Sequence, residues 1–192
     1  QKTYFYRGLF YLMGLLILAL GITLNTKTGL GVSPIISVSF SISTIWHFTI
    51  PAKPDFHPVP EYIFGMIPDL WTTYPDSFAG SFPGRILFLI IAIILTGVGA
   101  AMSLNMRIIP NPGDGIVQAI SDFIHKSVGF TKNCFDLFNI CLTISVGLIF
   151  AHHLVGIGIG TVLAVIGVGR AIAAFNHFFK QPMAVLSGMN ES

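Results

Sequence analysis

The chain has 192 residues, 53% hydrophobic and 9% charged, with a formal net charge of +2 and a mean hydropathy of +0.78. Soluble domains carry about 25% charged residues, so a chain this poor in charge cannot clothe a water-facing surface and must turn much of its exterior to lipid. The small positive excess, with no basic patch interleaved with aromatics, argues against a nucleic-acid partner.

Four segments are long enough to cross about 30 Å of hydrocarbon, at 6–25, 85–106, 133–152 and 155–177. The first apolar run, from Gly8 to Leu24, has no small-residue cleavage site after it and reads as a retained span rather than a signal peptide. Two segments, 34–48 and 113–127, are too short and polar to cross; each starts at or just after a proline and reads as a half-helix. Between them lies a Pro-rich stretch, 49–84, carrying Asp55, Glu61, Asp69 and Asp76; its first part, 49–60, reads as an exposed loop and Tyr62 to Tyr74 as a short tilted helix. Cys134 and Cys141 share one helix face about 10 Å apart along the axis, too far for a disulfide.

The whole chain, 1–192, reads as one membrane domain built from two copies, with 1–84 as repeat 1 and 85–180 as repeat 2. A shift of 78 residues places Arg7 on Arg85, Gly21 on Gly99, Pro34 on Pro112, Ser43 on Ser121 and His47 on His125. Phe64-Gly65-Met66-Ile67 instead matches the segment from Val165 at a shift of 102, and the 24-residue difference equals about one membrane helix. Repeat 1 is therefore incomplete, with the loop 49–60 where repeat 2 has a span. The sequence leaves open whether that span is truly deleted; a true deletion would leave the first half-helix with an open flank, which a second subunit of a homo-oligomer would cover.

With a cytoplasmic N-terminus, Lys2, Arg7, Arg107, Lys126, Lys132 and Lys180 fall inside and Lys27, Lys53 and Arg85 outside, a positive-inside bias. The half-helices then sit on opposite sides, as inverted repeats would place them. The expected fold class is an all-α, polytopic helical membrane protein of two inverted repeats, each with a Pro-initiated half-helix.

Two motifs begin the half-helices, Gly29-Leu30-Gly31-Val32-Ser33-Pro34 and Pro110-Asn111-Pro112-Gly113-Asp114-Gly115. Proline suits a first helical turn, and Ser33 and Asn111 are suitable N-caps. Broken helices of this kind expose free N–H groups and a partial positive charge, which transporters with inverted repeats use to bind solutes or ions. A packing turn is the competing reading of the same residues. Asp114 either neutralises its own helix start or couples an ion, and Gln118 lies one turn beyond it on the same face. Asp136 continues a polar stripe with Asn133, Asn139 and Thr143 that must face protein or water. Arg170 either snorkels to headgroups or pairs with Asp114, Asp136 or a substrate. His152-His153 point different ways and suit an interface better than a metal. The glycines at 156, 158 and 160 follow no strand, which excludes a dinucleotide fingerprint and leaves helix packing.

The segments Thr28-Gly29-Leu30-Gly31-Val32-Ser33-Pro34, Arg107-Ile108-Ile109-Pro110-Asn111-Pro112-Gly113-Asp114-Gly115-Ile116-Val117 and Phe64-Gly65-Met66-Ile67-Pro68-Asp69 resemble the YczE/YyaS/YitT family of bacterial inner-membrane proteins. The resemblance covers most of 5–178 and departs at 49–60, where that family would have another helix. It implies a duplicated helical fold in the bacterial plasma membrane and supplies no activity.

No nucleophile–base arrangement, P-loop or zinc spacing is present, so neither an enzyme nor a cofactor is expected. The leading expectation is a small-solute secondary transporter or permease. Its substrate or coupling ion would be bound by Ser33, Pro34, Asn111, Asp114 and Gln118, with Asp136, Asn139 and Arg170 in support. The alternatives are a non-transporting scaffold or regulatory partner-binding protein, and a channel.

Overall fold

The computed structural model describes residues 2–46 and 67–189. Among them the chain is all-helical, with no strand. Helix α1 spans Lys2–Lys27, α2 Pro34–Ile45, α3 the single turn Leu70–Thr73, and α4 Phe82–Asn105. Helix α5 spans Pro112–Ile124, α6 Val128–Val146 with a π-helical turn at Gly147–Ala151, and α7 Ile159–Leu186. Among the described residues, four helices are long and apolar enough to cross a bilayer: α1, α4, α6 with its π turn, and α7.

Helix α6 starts five residues earlier than expected, at Val128, and the last span starts four residues later and ends nine later, through Pro182; the other boundaries among the described residues hold within four. The last span starts late because the chain before it, through Gly156 (φ +74°) and the extended Gly158, is docked on residues 30–32. The loop 49–60, His47 and Phe64 to Met66 lie outside the described residues. Of the tilted helix expected over Tyr62 to Tyr74, the described part contains only α3, held near the end of α1 by the Lys27–Asp69 ion pair at 3.2 Å.

Helices α1 and α4 form the antiparallel centre of the fold, and small residues set their approach. A Cβ on Gly21 would strike the backbone nitrogen and Oγ1 of Thr96, and one on Gly99 would strike the backbone of Leu18. Leu18, Ile22, Leu89 and Ile93 fill this contact, and Val168 and Ile172 of α7 close the core behind it. The pattern is inverted relative to a soluble protein. Thr23, Ser37, Thr143 and Thr161 are fully buried, whereas Leu12, Ile94, Phe138 and Ile166 face outward. In lipid the outward apolar coat costs nothing, and helices associate through small and hydroxylated residues.

Reciprocal contacts tie the two halves. Arg7 Nε donates to Met106 O (2.8 Å) and its Nη2 to Arg107 O (2.9 Å). Arg85 Nε donates to Thr28 O (2.6 Å) and its Nη2 to Gly29 O (3.0 Å). Adding 78 to 7, 28 and 29 gives 85, 106 and 107, so the second set is the first with partners exchanged. Each guanidinium satisfies carbonyls orphaned at the end of the opposite helix. Gly21 against Thr96 and Gly99 against Leu18 follow the same rule, as does Ile35 against Gly113, which maps onto itself.

After α1 the chain turns back inward along residues 28–33 and is stapled to the start of α7. Gly160 N donates to Leu30 O (2.8 Å), Val32 N to Gly156 O (3.0 Å), and Thr161 Oγ1 to Val32 O (2.8 Å). Gly158 is required there because a Cβ would collide with Leu30 O. The glycines at 156, 158 and 160 thus form a backbone dock.

Helix α2 packs on α6 and the loop after it: Ser37 Oγ contacts Thr143 Oγ1 at 2.8 Å, and Ser41 Oγ donates to Val155 O at 2.8 Å. On α5, Phe123 is 84% exposed.

Candidate functional site

The starts of α2 and α5 meet inside the helix bundle. They enclose a void of about 10 Å³ beside Leu18 and Ile22 of α1 and Thr96 and Ala100 of α4. These positions lie at least five residues inside the nearer helix ends, about 7.5 Å of rise. Ser33 and Asn111, equivalent under the 78-residue shift, line it from the two half-helix starts. Both occupy N-cap positions, but neither side chain caps its helix. The sequence expectation of side-chain capping is therefore corrected: the extended approach to each proline turns both side chains into the shared void instead. Two helix N-termini, each equivalent to roughly half a positive charge, converge there.

The void is also lined by Asp114, Lys132 and Asp136. All three are at most 4% exposed. Lys132 Nζ donates to Asp136 Oδ1 at 2.5 Å, one turn apart on α6. Asp114 stands across the void, within electrostatic reach of Lys132. Its only hydrogen-bond donor among the described side chains is Asn111 Nδ2, at a long 3.5 Å. Two carboxylates and one ammonium leave one negative charge, which the two helix N-termini together about offset.

A second, larger space opens on the side of the molecule where α1 begins and α4 ends. It is a cavity of about 550 Å³, and Arg7, Arg107, Gln118, Asp122, Asn176 and Lys180 are among its lining residues. Asp114, Gln118 and Asp122 fall one turn apart on α5. One polar helix face thus joins the vestibule to the central void.

Of the residues singled out in the sequence, Ser33, Asn111, Asp114 and Asp136 share the void, and Gln118 lines the vestibule. Pro34 is buried at the first turn of α2, where its carbonyl accepts from Ser37 Oγ (2.7 Å). Asn139 turns aside to donate to Phe135 O at 3.0 Å. Arg170 is exposed on α7 and makes no ion pair among the described residues; the partner proposed for it, Asp136, is taken by Lys132. The sequence reading missed Lys132, which it placed among cytoplasmic loop charges. Helix α6 begins at Val128 rather than 133, so Lys132 lies in its second turn and is buried. The signal was present as Lys-x-x-x-Asp, an i,i+4 pair. Asn133 Oδ1, on the same stripe, is buried without a partner against Gly169. His152 and His153 are exposed, and no metal-binding cluster occurs among the described residues.

The sequence model of a family described as "Family of unknown function (DUF6198)" matches residues 5–52 and 58–177. The chain belongs to the DUF6198 family. The interruption in this match falls inside the Pro-rich loop, and both half-helix motifs and the charged cluster lie within the matched parts of the DUF6198 chain. No curated protein and no solved structure matches it.

Proposed function

We propose that this DUF6198 protein is a small-solute secondary transporter of the bacterial inner membrane, with a cytoplasmic N-terminus and its central site at the meeting of α2 and α5. The observation that carries the reading is the convergence of two half-helix N-termini on Ser33, Asn111, Asp114, Lys132 and Asp136. Buried ionisable groups are expensive in a bilayer and are kept where ions or protons move. A packing turn needs none of them. The partner-exchanging contacts of Arg7 and Arg85 support two inverted repeats, the arrangement in which alternating access arises by rocking one half against the other. They favour the duplication read from sequence and, with it, kinship to the YczE/YyaS/YitT proteins. The vestibule supplies a route from one face, and no enzymatic chemistry is proposed.

The test is the accessibility of single cysteines at positions 33 and 114, in sided membrane vesicles, with Cys134 and Cys141 replaced. Labelling from the N-terminal face in one condition and from the opposite face in another is expected. If neither position reacts under any condition, the motifs are packing turns and the partner-binding scaffold takes the transporter's place.

A further inference from the structure

We propose that the central cluster is a proton-binding site in which Asp114 takes the proton and the Lys132–Asp136 pair stays fixed beside it. This deepens the transporter reading, on which its role as a coupling site rests, by naming the coupling ion.

Three observations carry it. The first is size. A void of about 10 Å³ is at the threshold for a single water, so an organic solute does not fit between the half-helices as they stand. The second is occupancy. Asp136 already holds the Lys132 ammonium at 2.5 Å, and a metal cation entering the void would stand against that ammonium. The third is the state of Asp114. It is 3% exposed and, among the described residues, in no ion pair and with one weak side-chain donor at 3.5 Å. The Ser33 hydroxyl lines the same void, 97% buried as a residue, with no capping bond to its own helix and no side-chain hydrogen bond among the described residues.

The charged groups facing Asp114 from the elements around it are Lys132 and Asp136, both on α6. Helices α1, α2, α4 and α7 present only uncharged side chains there, such as Leu18, Ile35, Thr96 and Val168. With Asp114 ionised, the cluster and its two helix N-termini come to about zero net charge; protonation leaves about one positive charge facing the void. The proton adds to an Asp114 carboxylate oxygen, and no bond other than the carboxyl O–H is made or broken.

The test is infrared difference spectroscopy of the full-length protein in lipid nanodiscs across a pH series. The expected result is a protonated-carboxyl C=O band that is lost in Asp114→Asn and kept in Asp122→Asn, with no change on replacing potassium by sodium. Asp114→Glu, which preserves the acid, is expected to restore the band at a shifted midpoint, so a poorly folded Asp114→Asn does not decide the matter. A band that persists in Asp114→Asn, whichever carboxyl carries it, overturns the assignment. So does the absence of any difference between wild type, Asp114→Asn and Asp114→Glu, or a band displaced by sodium. If the assignment fails while positions 33 and 114 still label from both faces, the transporter stands with another coupling ion. If Asp114 titrates while neither position is ever reachable, the proton site stands and the transporter falls.

Discussion

Substituting Lys132 by methionine removes the ammonium and most of the hydrogen-bonding capacity of the side chain while keeping its length. At 2.5 Å and an effective dielectric constant of about 20, the gross attraction to Asp136 is about 7 kcal/mol. Desolvation of both groups cancels much of that, but deleting one partner leaves the other charge buried and uncompensated, which costs about 3–5 kcal/mol. Lys132→Met is therefore expected to destabilise the protein by about that amount. Asp136→Leu should do the same for the opposite reason, stranding the ammonium. The double variant Lys132→Met/Asp136→Leu replaces an ion pair by apolar groups of similar volume and should return to within about 1 kcal/mol of the parent. Thermal unfolding in nanodiscs at fixed lipid composition reads all three. If the transporter reading holds, the double variant is stable and inactive, which separates the pair's function from its packing. Should Lys132→Met unfold like the parent, the ammonium is not held on Asp136 in the membrane. A double variant as unstable as the singles would show that Asp114 is part of one inseparable charge network.

Arg7→Ala and Arg85→Ala each remove two charge-assisted hydrogen bonds to helix-end carbonyls; each is expected to cost at least about 1.5–3 kcal/mol, measured by thermal unfolding. Lysine should not rescue either, because a single ammonium lacks the planar fork that reaches two successive carbonyls. Gly21→Leu forces a side chain onto the backbone of Thr96 and should destabilise by about 1–3 kcal/mol or more, with Gly99→Leu showing a loss of similar size. Cys134→Ser and Cys141→Ser sit on the exposed face of α6 and should change stability by less than about 0.5 kcal/mol, which the same melting assay checks before any labelling is done.

The long helices were legible because lipid imposes a length and a composition that few other segments meet. The starts of α2 and α5 were legible because Pro34 and Pro112 each follow a long apolar run and a capping-type residue, the setting in which proline suits a first turn. What escaped was depth. Lys132 was counted as a loop charge because hydropathy falls off around it, and the sequence does not say that α6 carries four residues of helix before it, bringing it beside Asp136. For Arg170, between Gly169 and Ala171, the sequence leaves snorkelling and a buried ion pair both open, and only the fold puts it on an exposed face of α7.

Positions related by the 78-residue shift meet at the void, but its charges are not shared between them, and on the transporter reading that difference bears on direction. Ser33 and Asn111 are equivalent positions on the void, as are Leu18 and Thr96, but Lys132 and Asp136 belong to α6 alone. Toward the N-terminal face the polar residues of α5 lead from Asp114 to an open vestibule. Toward the opposite face the way is shut by Ser37 on Thr143, then by Ser41 on Val155 O, and finally by Trp46 against Phe150 at a ring separation of 4.8 Å. Under alternating access those contacts are the gate that must part. Two hydroxyl contacts of about 1 kcal/mol each and one aromatic contact of about 0.5–1.5 kcal/mol make it a weak closure. A few kcal/mol is the range in which binding one ion or solute can shift a two-state equilibrium, so, if the transporter reading holds, these far contacts lie within reach of an event at the central cluster.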